Sequence, residues 1–92
     1  MPASAIHVRV TGRVQGVGYR YAVVRAAREL DLVGWVRNDV DGSVEVWAQG
    51  ESASVDGLVR YLRVGPTGAR VERVATSQGA VNTNLRGFDI RF

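Results

Sequence analysis

Two segments with helical periodicity interrupt a series of segments with strand periodicity, and their order restricts the fold to few architectures. Apolar residues recur at helical spacing over residues 19–30 and 55–62. Apolar and polar residues alternate, as in half-buried strands, over residues 6–11, 33–38, 43–49, 69–76 and 88–92. The order β-α-β-β-α-β with a terminal strand predicts an α+β sandwich of the split-βαβ type. We expect a mostly antiparallel sheet of four or five strands with both helices on one face.

The segments between these elements carry their own signals. Residues 12–18 contain three glycines and are predicted to form a loop, and Asp41-Gly42 predicts a tight hairpin turn. The alternation over residues 69–76 is irregular, which indicates a bulged strand. Residues 76–86 are polar and are predicted to form a loop or a distorted hairpin.

The length and composition exclude several classes of protein. A chain of 92 residues predicts one domain, residues 1–92, with a modest core. The absence of cysteine excludes disulfides, thiolate nucleophiles and most structural zinc sites. The sequence has neither a long apolar run nor the start of a signal peptide, so we expect a cytoplasmic protein that does not bind membranes. It also shows no second apolar face, so we expect a monomer.

The charge is unevenly distributed. All twelve basic residues are arginines, for which codon usage is the simpler explanation. Residues 1–40 hold six arginines against three acidic residues, whereas residues 41–92 hold six against six, so the net charge of +3 belongs to the first part. This distribution raises the question of an anionic ligand there. Arg13 and Arg37 are either solvated or extend the positive field toward it.

The start of the second helix has the residues of an ordinary capped helix. Ser52 and Ser54 are candidate N-caps, and Asp56 is expected in the first turn. Arg60 and Arg63 lie toward the carboxyl end, where they complement the helix dipole.

The start of the first helix has the opposite character. Residues 15–19 contain no Ser, Thr, Asp or Asn that could cap it, Arg20 lies at its positive end, and Glu29 and Asp31 lie at its negative end. A Gly-x-Gly loop before uncapped N–H groups is typical of an anion site, in which Arg20 would become a charge-assisted donor. The alternative is a loop capped by water, with Arg20 pointing away.

Two common phosphate-binding motifs do not fit this loop. The pattern GxxxxGK[ST] requires a lysine that is absent, and the pattern GxGxxG, begun at Gly16, meets Tyr21 where the third glycine belongs. The loop is therefore not predicted to bind ATP or a dinucleotide in either of these ways.

The chain resembles the acylphosphatase family over nearly its whole length. Residues 10–20, VTGRVQGVGYR, match the family's first signature, with Tyr19 in place of the common Phe. Its second signature and remaining landmarks are matched by residues 34–38 (GWVRN), 41–46 (DGSVEV), 49–50, 65–66 and 88–91. Because two signatures occur in the expected order, the resemblance is specific.

The resemblance implies a ferredoxin-like fold and an enzyme that hydrolyses the carboxyl–phosphate bond of acyl phosphates to a carboxylate and inorganic phosphate. It implies direct attack by an oriented water, with no metal, no cofactor and no covalent phosphoenzyme. By resemblance, Arg20 and Asn38 are the catalytic residues. The phosphate cradle then consists of the backbone N–H groups of Gln15, Gly16, Val17, Gly18 and Tyr19. The partner is a small acyl phosphate, with which inorganic phosphate or sulfate is expected to compete.

Other candidates are weaker. His7 lies in mid-strand and is predicted to be a sheet-face residue and not a base. Asp39 and Asp41 are interpreted as turn formers, since no third metal ligand is evident. Trp35 and Trp47 are interpreted as packing residues, and nucleic-acid binding is not expected. RNA binding on such a sheet uses paired aromatics in a basic motif, whereas the strand over residues 43–49 offers only Trp47. A binding module that handles carbamoyl phosphate within a larger enzyme remains an alternative.

Overall fold

The computed structural model describes residues 3–92. Its elements are β1 (Ala3–Arg13), α1 (Tyr19–Glu29), β2 (Val33–Asn38), β3 (Val44–Glu51), α2 (Ser52–Leu62), β4 (Arg70–Gly79) and β5 (Phe88–Arg91). The five strands form one sheet in the order β4-β1-β3-β2-β5. All neighbours are antiparallel except β2 and β5. The predicted ferredoxin-like α+β fold, with two helices on a mostly antiparallel sheet, is confirmed.

The core lies between the helices and one face of the sheet. The strands contribute the fully buried Val8, Val10, Val36, Val44 and Val46, and the helices contribute Val23, Ala27, Leu58 and Leu62. Alternation along β1 places His7 and Arg9 on the opposite, outer face, where His7 is in register with Trp47. Among residues 3–92, no helix is long and apolar enough to cross a membrane.

The strand directions determine where a site can form. Strands β1 and β2 are both antiparallel to β3, and β5 is parallel to β2, so β1, β2 and β5 run in the same direction. Their carboxyl ends therefore meet at one edge of the sheet, where α1 also begins. The fold brings the loop after β1, Asn38 at the end of β2 and Phe92 after β5 to this edge.

Three strands, β1, β3 and β4, extend beyond their predicted bounds, and β3 does so by continuing to Glu51. Strand β1 continues through Gly12, which was predicted to lie in the loop, and it passes so close to β4 that a Cβ at Gly12 would lie 2.2 Å from the Arg70 carbonyl oxygen. The predicted bulge is present, because the register between β1 and β4 shifts after Thr11 and leaves Glu72 without an opposite residue. Strand β4 also continues to Gly79, since pairing with β1 satisfies its backbone despite its polar side chains.

The predicted capping of α2 is wrong. The helix begins at Ser52, directly after β3, with Glu51 at the N-cap position and no side-chain capping bond in the described chain. Its first turn contains no acidic residue, because Asp56 lies further along the helix than predicted. Ser52 instead directs its hydroxyl to Ser4 Oγ, 3.2 Å away. The basic residue predicted for the last turn, Arg60, is present.

Candidate active site

The loop between β1 and α1 passes twice through the left-handed region of backbone space. Gly16 has φ 75° and Gly18 has φ 77°, a conformation that side chains other than glycine disfavour. Apart from the adjacent residues in the chain, a Cβ at either glycine would meet no atom of residues 3–92 within 4 Å. Glycine is therefore required here by backbone conformation, and the space beside the loop is open.

Helix α1 begins at this loop without a side-chain cap. Gly18 occupies the N-cap position, and within the described chain no side chain caps the helix and no acidic residue lies in its first turn. The first intrahelical bond is donated by Ala22 N to Gly18 O, at 3.1 Å. The N–H groups before Ala22 thus lack helical partners and carry the positive end of the helix dipole.

Tyr19 anchors this end of α1 to the core. Its ring is 1 % exposed, and its hydroxyl donates a hydrogen bond of 2.7 Å to the Leu62 carbonyl at the end of α2. Burial raises the pKa of this phenol, so the group stays a neutral donor. The hydroxyl that distinguishes Tyr19 from the common Phe is therefore used structurally.

A pocket of about 220 Å³ lies in front of the helix start. Its lining residues are Val14, Gly16, Gly18, Tyr19, Arg20, Tyr21 and Asn38. The structure thus brings together Arg20, Asn38 and three of the five residues predicted to form the cradle. The other two, Gln15 and Val17, do not line this pocket, and Val17 packs against the core.

Arg20 differs from two other arginines near this edge. Arg9 and Arg37 both lie within salt-bridge distance of Asp39. Arg20 has no carboxylate partner among residues 3–92, and its Cζ lies 5.3 Å from the centre of the Phe92 ring. Its guanidinium donors are consequently not engaged by a carboxylate of the described residues, in contrast to those of Arg9 and Arg37.

Asn38 places an unsatisfied acceptor at the pocket. Its side-chain Oδ1 is buried and accepts no hydrogen bond from any residue of the described range 3–92. A buried polar atom without a partner costs about 1–3 kcal/mol. No donor among residues 3–92 offsets this cost, whereas a donor bound in the pocket would satisfy the oxygen.

The side chain of Gln15 connects the glycine loop to the hairpin that follows Asn38. Its Nε2 donates to the carbonyl oxygens of Asp39, at 2.8 Å, and Ser43, at 2.9 Å. The sequence motif points only to the backbone N–H of Gln15 and does not reveal this role of the side chain. The one available signal was a long polar side chain within a loop otherwise made of glycine and valine.

The hairpin itself is held by charged side chains. Asp41 accepts hydrogen bonds from the backbone N–H and the hydroxyl of Ser43, which confirms it as a turn former and lowers the pKa of its carboxyl group. Arg9 donates to Asp39 and to the Ser43 hydroxyl, both at 2.7 Å, and the Asp39 carboxylate raises the pKa of this guanidinium. Within residues 3–92, no three acidic or histidine side chains converge to hold a metal ion.

The remaining candidates lie on the outer face of the sheet, as predicted for His7. His7 pairs with Glu45, which also accepts from Arg37 at 2.7 Å. Burial by itself would raise the pKa of Glu45, but the hydrogen bonds from His7 and Arg37 outweigh it and lower the pKa. Trp35 and Trp47 share this face opposite the helices. None of these five residues lines the pocket.

Comparison with known proteins identifies the family. The family model described as Acylphosphatase matches residues 6–90. An acylphosphatase of Chlorobaculum tepidum is 44 % identical over 90 residues, which cover 98 % of each chain. The solved acylphosphatase structure from Coxiella burnetii superimposes with a TM-score of 0.92 at 40 % identity and covers 97 % of this chain and 93 % of its own. The one from Bacillus subtilis gives a TM-score of 0.93 at 31 % identity and covers 97 % and 99 %. The chain therefore belongs to the acylphosphatase family.

Proposed function

We propose that the pocket at the start of α1 is where this protein hydrolyses the carboxyl–phosphate bond of acyl phosphates, with Arg20 and Asn38 as its catalytic residues. Family membership supplies the reaction. The observation that carries the assignment of the site is the buried, unpartnered Oδ1 of Asn38. Asn38 lines the same pocket as Arg20 and the residues at the uncapped helix start.

The phosphoryl group occupies the space beside the glycines. The backbone N–H groups of residues 15–19 and the planar fork of Arg20 donate to its three peripheral oxygens. In phosphoryl transfer, catalysis is mostly positioning and stabilisation of charge, because the transition state is loose. Donors arranged in advance around those oxygens stabilise this state without reorganising. The open space above Gly16 and Gly18 supports this placement.

The nucleophile is a water molecule held by Asn38. The unpartnered Oδ1 accepts a hydrogen bond from this water and aims its oxygen at phosphorus, in line with the acyl oxygen. The new bond between the water oxygen and phosphorus forms as the bond between phosphorus and the acyl oxygen breaks, and both protons of the water remain with the phosphate product as H₂PO₄⁻. The leaving carboxylate is stable as an anion, so the reaction requires no strong general acid. The acidic groups next to Asn38 are engaged by Arg9 and Ser43, which supports a water that is positioned and not deprotonated by a side chain.

The test is steady-state release of inorganic phosphate from benzoyl phosphate and acetyl phosphate. We expect turnover of both substrates, activity that survives EDTA, and competitive inhibition by inorganic phosphate and sulfate, because the cradle recognises a tetrahedral oxyanion. Complete inactivation by EDTA, reversed by one specific metal ion, would contradict the mechanism. Purely noncompetitive inhibition would place the anion outside this pocket.

A further inference from the structure

The two halves of the proposed site are carried by strands that are not neighbours. The glycine loop follows β1, Asn38 ends β2, and β3 lies between these strands. Val44 of β3 pairs with Val10 on one side and with Asn38 on the other, and these are the last pairs of both ladders. Backbone pairing thus stops where the site begins. The distance between the glycine loop and Asn38 must therefore be fixed by a contact other than strand pairing.

The Gln15 side chain supplies a direct link at this point. Both hydrogens of its amide are used, one on the Asp39 carbonyl at 2.8 Å and one on the Ser43 carbonyl at 2.9 Å. Within residues 3–92, these are the hydrogen bonds that join loop 14–18 to hairpin 39–43. Asp39 follows Asn38 directly in the chain. One of the two bonds therefore holds the carbonyl group of the residue next to Asn38.

The hairpin transmits this link as a rigid unit. Asp39 N donates to Ser43 O at 2.9 Å, which closes the turn. Asp41 accepts from the Ser43 hydroxyl at 2.6 Å, and Arg9 bridges Asp39 and Ser43 from the side. A displacement of the loop relative to this unit changes the distance between the cradle and Asn38.

We propose that the side chain of Gln15 is a positioning residue that sets the distance between the phosphoryl cradle and the water held by Asn38. The inference rests on the proposed function, since it acts through the roles given to the cradle and to Asn38. It concerns the side chain alone, because the backbone N–H of Gln15 is retained in any substitution other than proline. The side chain of Gln15 touches neither reactant, because its amide donates to Asp39 O and Ser43 O, and its effect is confined to alignment.

The first variant is Gln15→Met, which keeps the length of the side chain and removes both donors. We expect kcat to fall at least about tenfold, since a displacement of the order of 1 Å at a reacting centre has effects up to about a hundredfold. We expect the inhibition constant of inorganic phosphate to change by less than about threefold, because Arg20 and the backbone donors remain. Loss of phosphate binding equal to the loss of kcat would mean that the Gln15 side chain itself helps to bind the phosphoryl group, and would overturn the proposal.

Gln49→Met is the matched control. Gln49 is 5 % exposed and also holds a loop by two hydrogen bonds, since its Nε2 donates to Asn82 O at 2.7 Å and its Oε1 accepts from Asn82 N at 3.0 Å. This glutamine lies away from the pocket. We expect a similar loss of thermal stability and a kcat within about twofold of the unsubstituted protein. An equal loss of kcat in both variants would mean that Gln15→Met acts through general destabilisation.

A double-mutant cycle with Asn38→Ala provides the decisive readout. If Gln15 acts through Asn38, adding Gln15→Met to Asn38→Ala changes kcat by less than about twofold. If the double variant loses kcat by the product of the two single-variant factors, the two residues act independently and the proposal is overturned. The single variant Asn38→Ala reports separately on the proposed function, because high activity there contradicts the role of Asn38 itself. If circular dichroism shows that Gln15→Met does not fold, Gln15→Asn, whose shorter amide cannot reach both carbonyls, takes its place in the cycle with the same expectations.

Discussion

Helices α1 and α2 both begin without a side-chain cap from residues 3–92 and without an acidic residue in the first turn, but α1 begins at a pocket lined by Arg20 and Asn38. Helix α2 follows β3 directly, with its N-cap residue Glu51 in extended conformation at φ −60° and ψ 139°. Helix α1 follows a loop and has Gly18 in left-handed conformation at φ 77° and ψ 17°. The difference between them therefore lies in the approach to the helix and in what faces its first turn.

The comparison shows that missing caps do not identify an anion site. The sequence argument contrasted a capped α2 with an uncapped α1, and half of that contrast is wrong, because neither Ser52 nor Ser54 caps α2. Three other features separate the two helix starts: the left-handed glycines, an arginine without a carboxylate partner in residues 3–92, and a buried acceptor without a donor there. Each of these features can be altered separately.

The largest effect is expected from Arg20→Ala. Removing a principal donor to a transition-state oxyanion lowers kcat by about 10²–10³-fold, and here inhibition by inorganic phosphate should weaken as well, because Arg20 holds the phosphoryl group before and during reaction. Arg20→Lys should recover only part of both losses, since a point charge does not reproduce the planar fork. Steady-state kinetics with phosphate as inhibitor measures both quantities. Unchanged phosphate inhibition in a folded Arg20→Ala protein would place the anion elsewhere.

Asn38→Ala should separate catalysis from binding. We expect kcat to fall on the order of a hundredfold while phosphate inhibition stays within a few-fold, the pattern of a group that acts only in reaching the transition state. Because Asn38 Oδ1 is buried without a partner, its removal should leave the melting temperature unchanged or raise it. Steady-state kinetics tests the expected changes in kcat and phosphate inhibition, and thermal melting tests the expected melting temperature. Retention of more than about half of the activity, or a loss of phosphate binding as severe as in Arg20→Ala, would refute the water-holding role.

Glycine-to-alanine substitutions should have opposite signs in the two helices. Gly18→Ala places a side chain in left-handed backbone and should lower the free energy of unfolding by about 1–2 kcal/mol. It should also weaken phosphate inhibition, because Gly18 lines the pocket. Gly57→Ala, inside α2, brings a Cβ to ordinary contact distances of 3.6–3.7 Å from Leu30 and Arg60. It should raise the free energy of unfolding by about 0.5–1 kcal/mol, with unchanged kinetics. Denaturant unfolding measures both, and a stabilising Gly18→Ala would contradict the assigned backbone conformation.

The order of elements and several of their bounds could be predicted from the sequence, because core-facing residues leave a period in it. Helix α1 was predicted to within one residue, and β2 over the bounds observed. The start of α2 and the end of β4 could not be predicted, because no periodic pattern of apolar residues marks either position. Helix α2 begins where β3 ends, without a connecting loop, and β4 continues because β1 supplies backbone partners to polar residues.

The same distinction applies to the candidate site. Residues that a motif names, such as Arg20 and Asn38, could be proposed from sequence, and the structure places both at one pocket. The Gln15 link could not be proposed, because its partners are the backbone carbonyls of Asp39 and Ser43. Every residue has a carbonyl, so a sequence does not show which ones a folded chain presents to a side chain.

The smallest effect is expected at the start of α2, where Glu51→Asp should create the cap that the helix lacks. Glu51 already has the extended conformation of an N-cap residue and makes no side-chain capping bond in the described chain. Aspartate is among the preferred N-cap residues, because its shorter side chain reaches the N–H groups of the first turn. We expect a gain of about 0.5–1 kcal/mol in the free energy of unfolding, measured in denaturant, with unchanged kcat and unchanged phosphate inhibition. Glu51→Ala is the control, since it removes the carboxylate and cannot cap. A change in kinetics on capping α2 would mean that the two helix starts are coupled, and the contrast between a structural and a functional helix start would then fail.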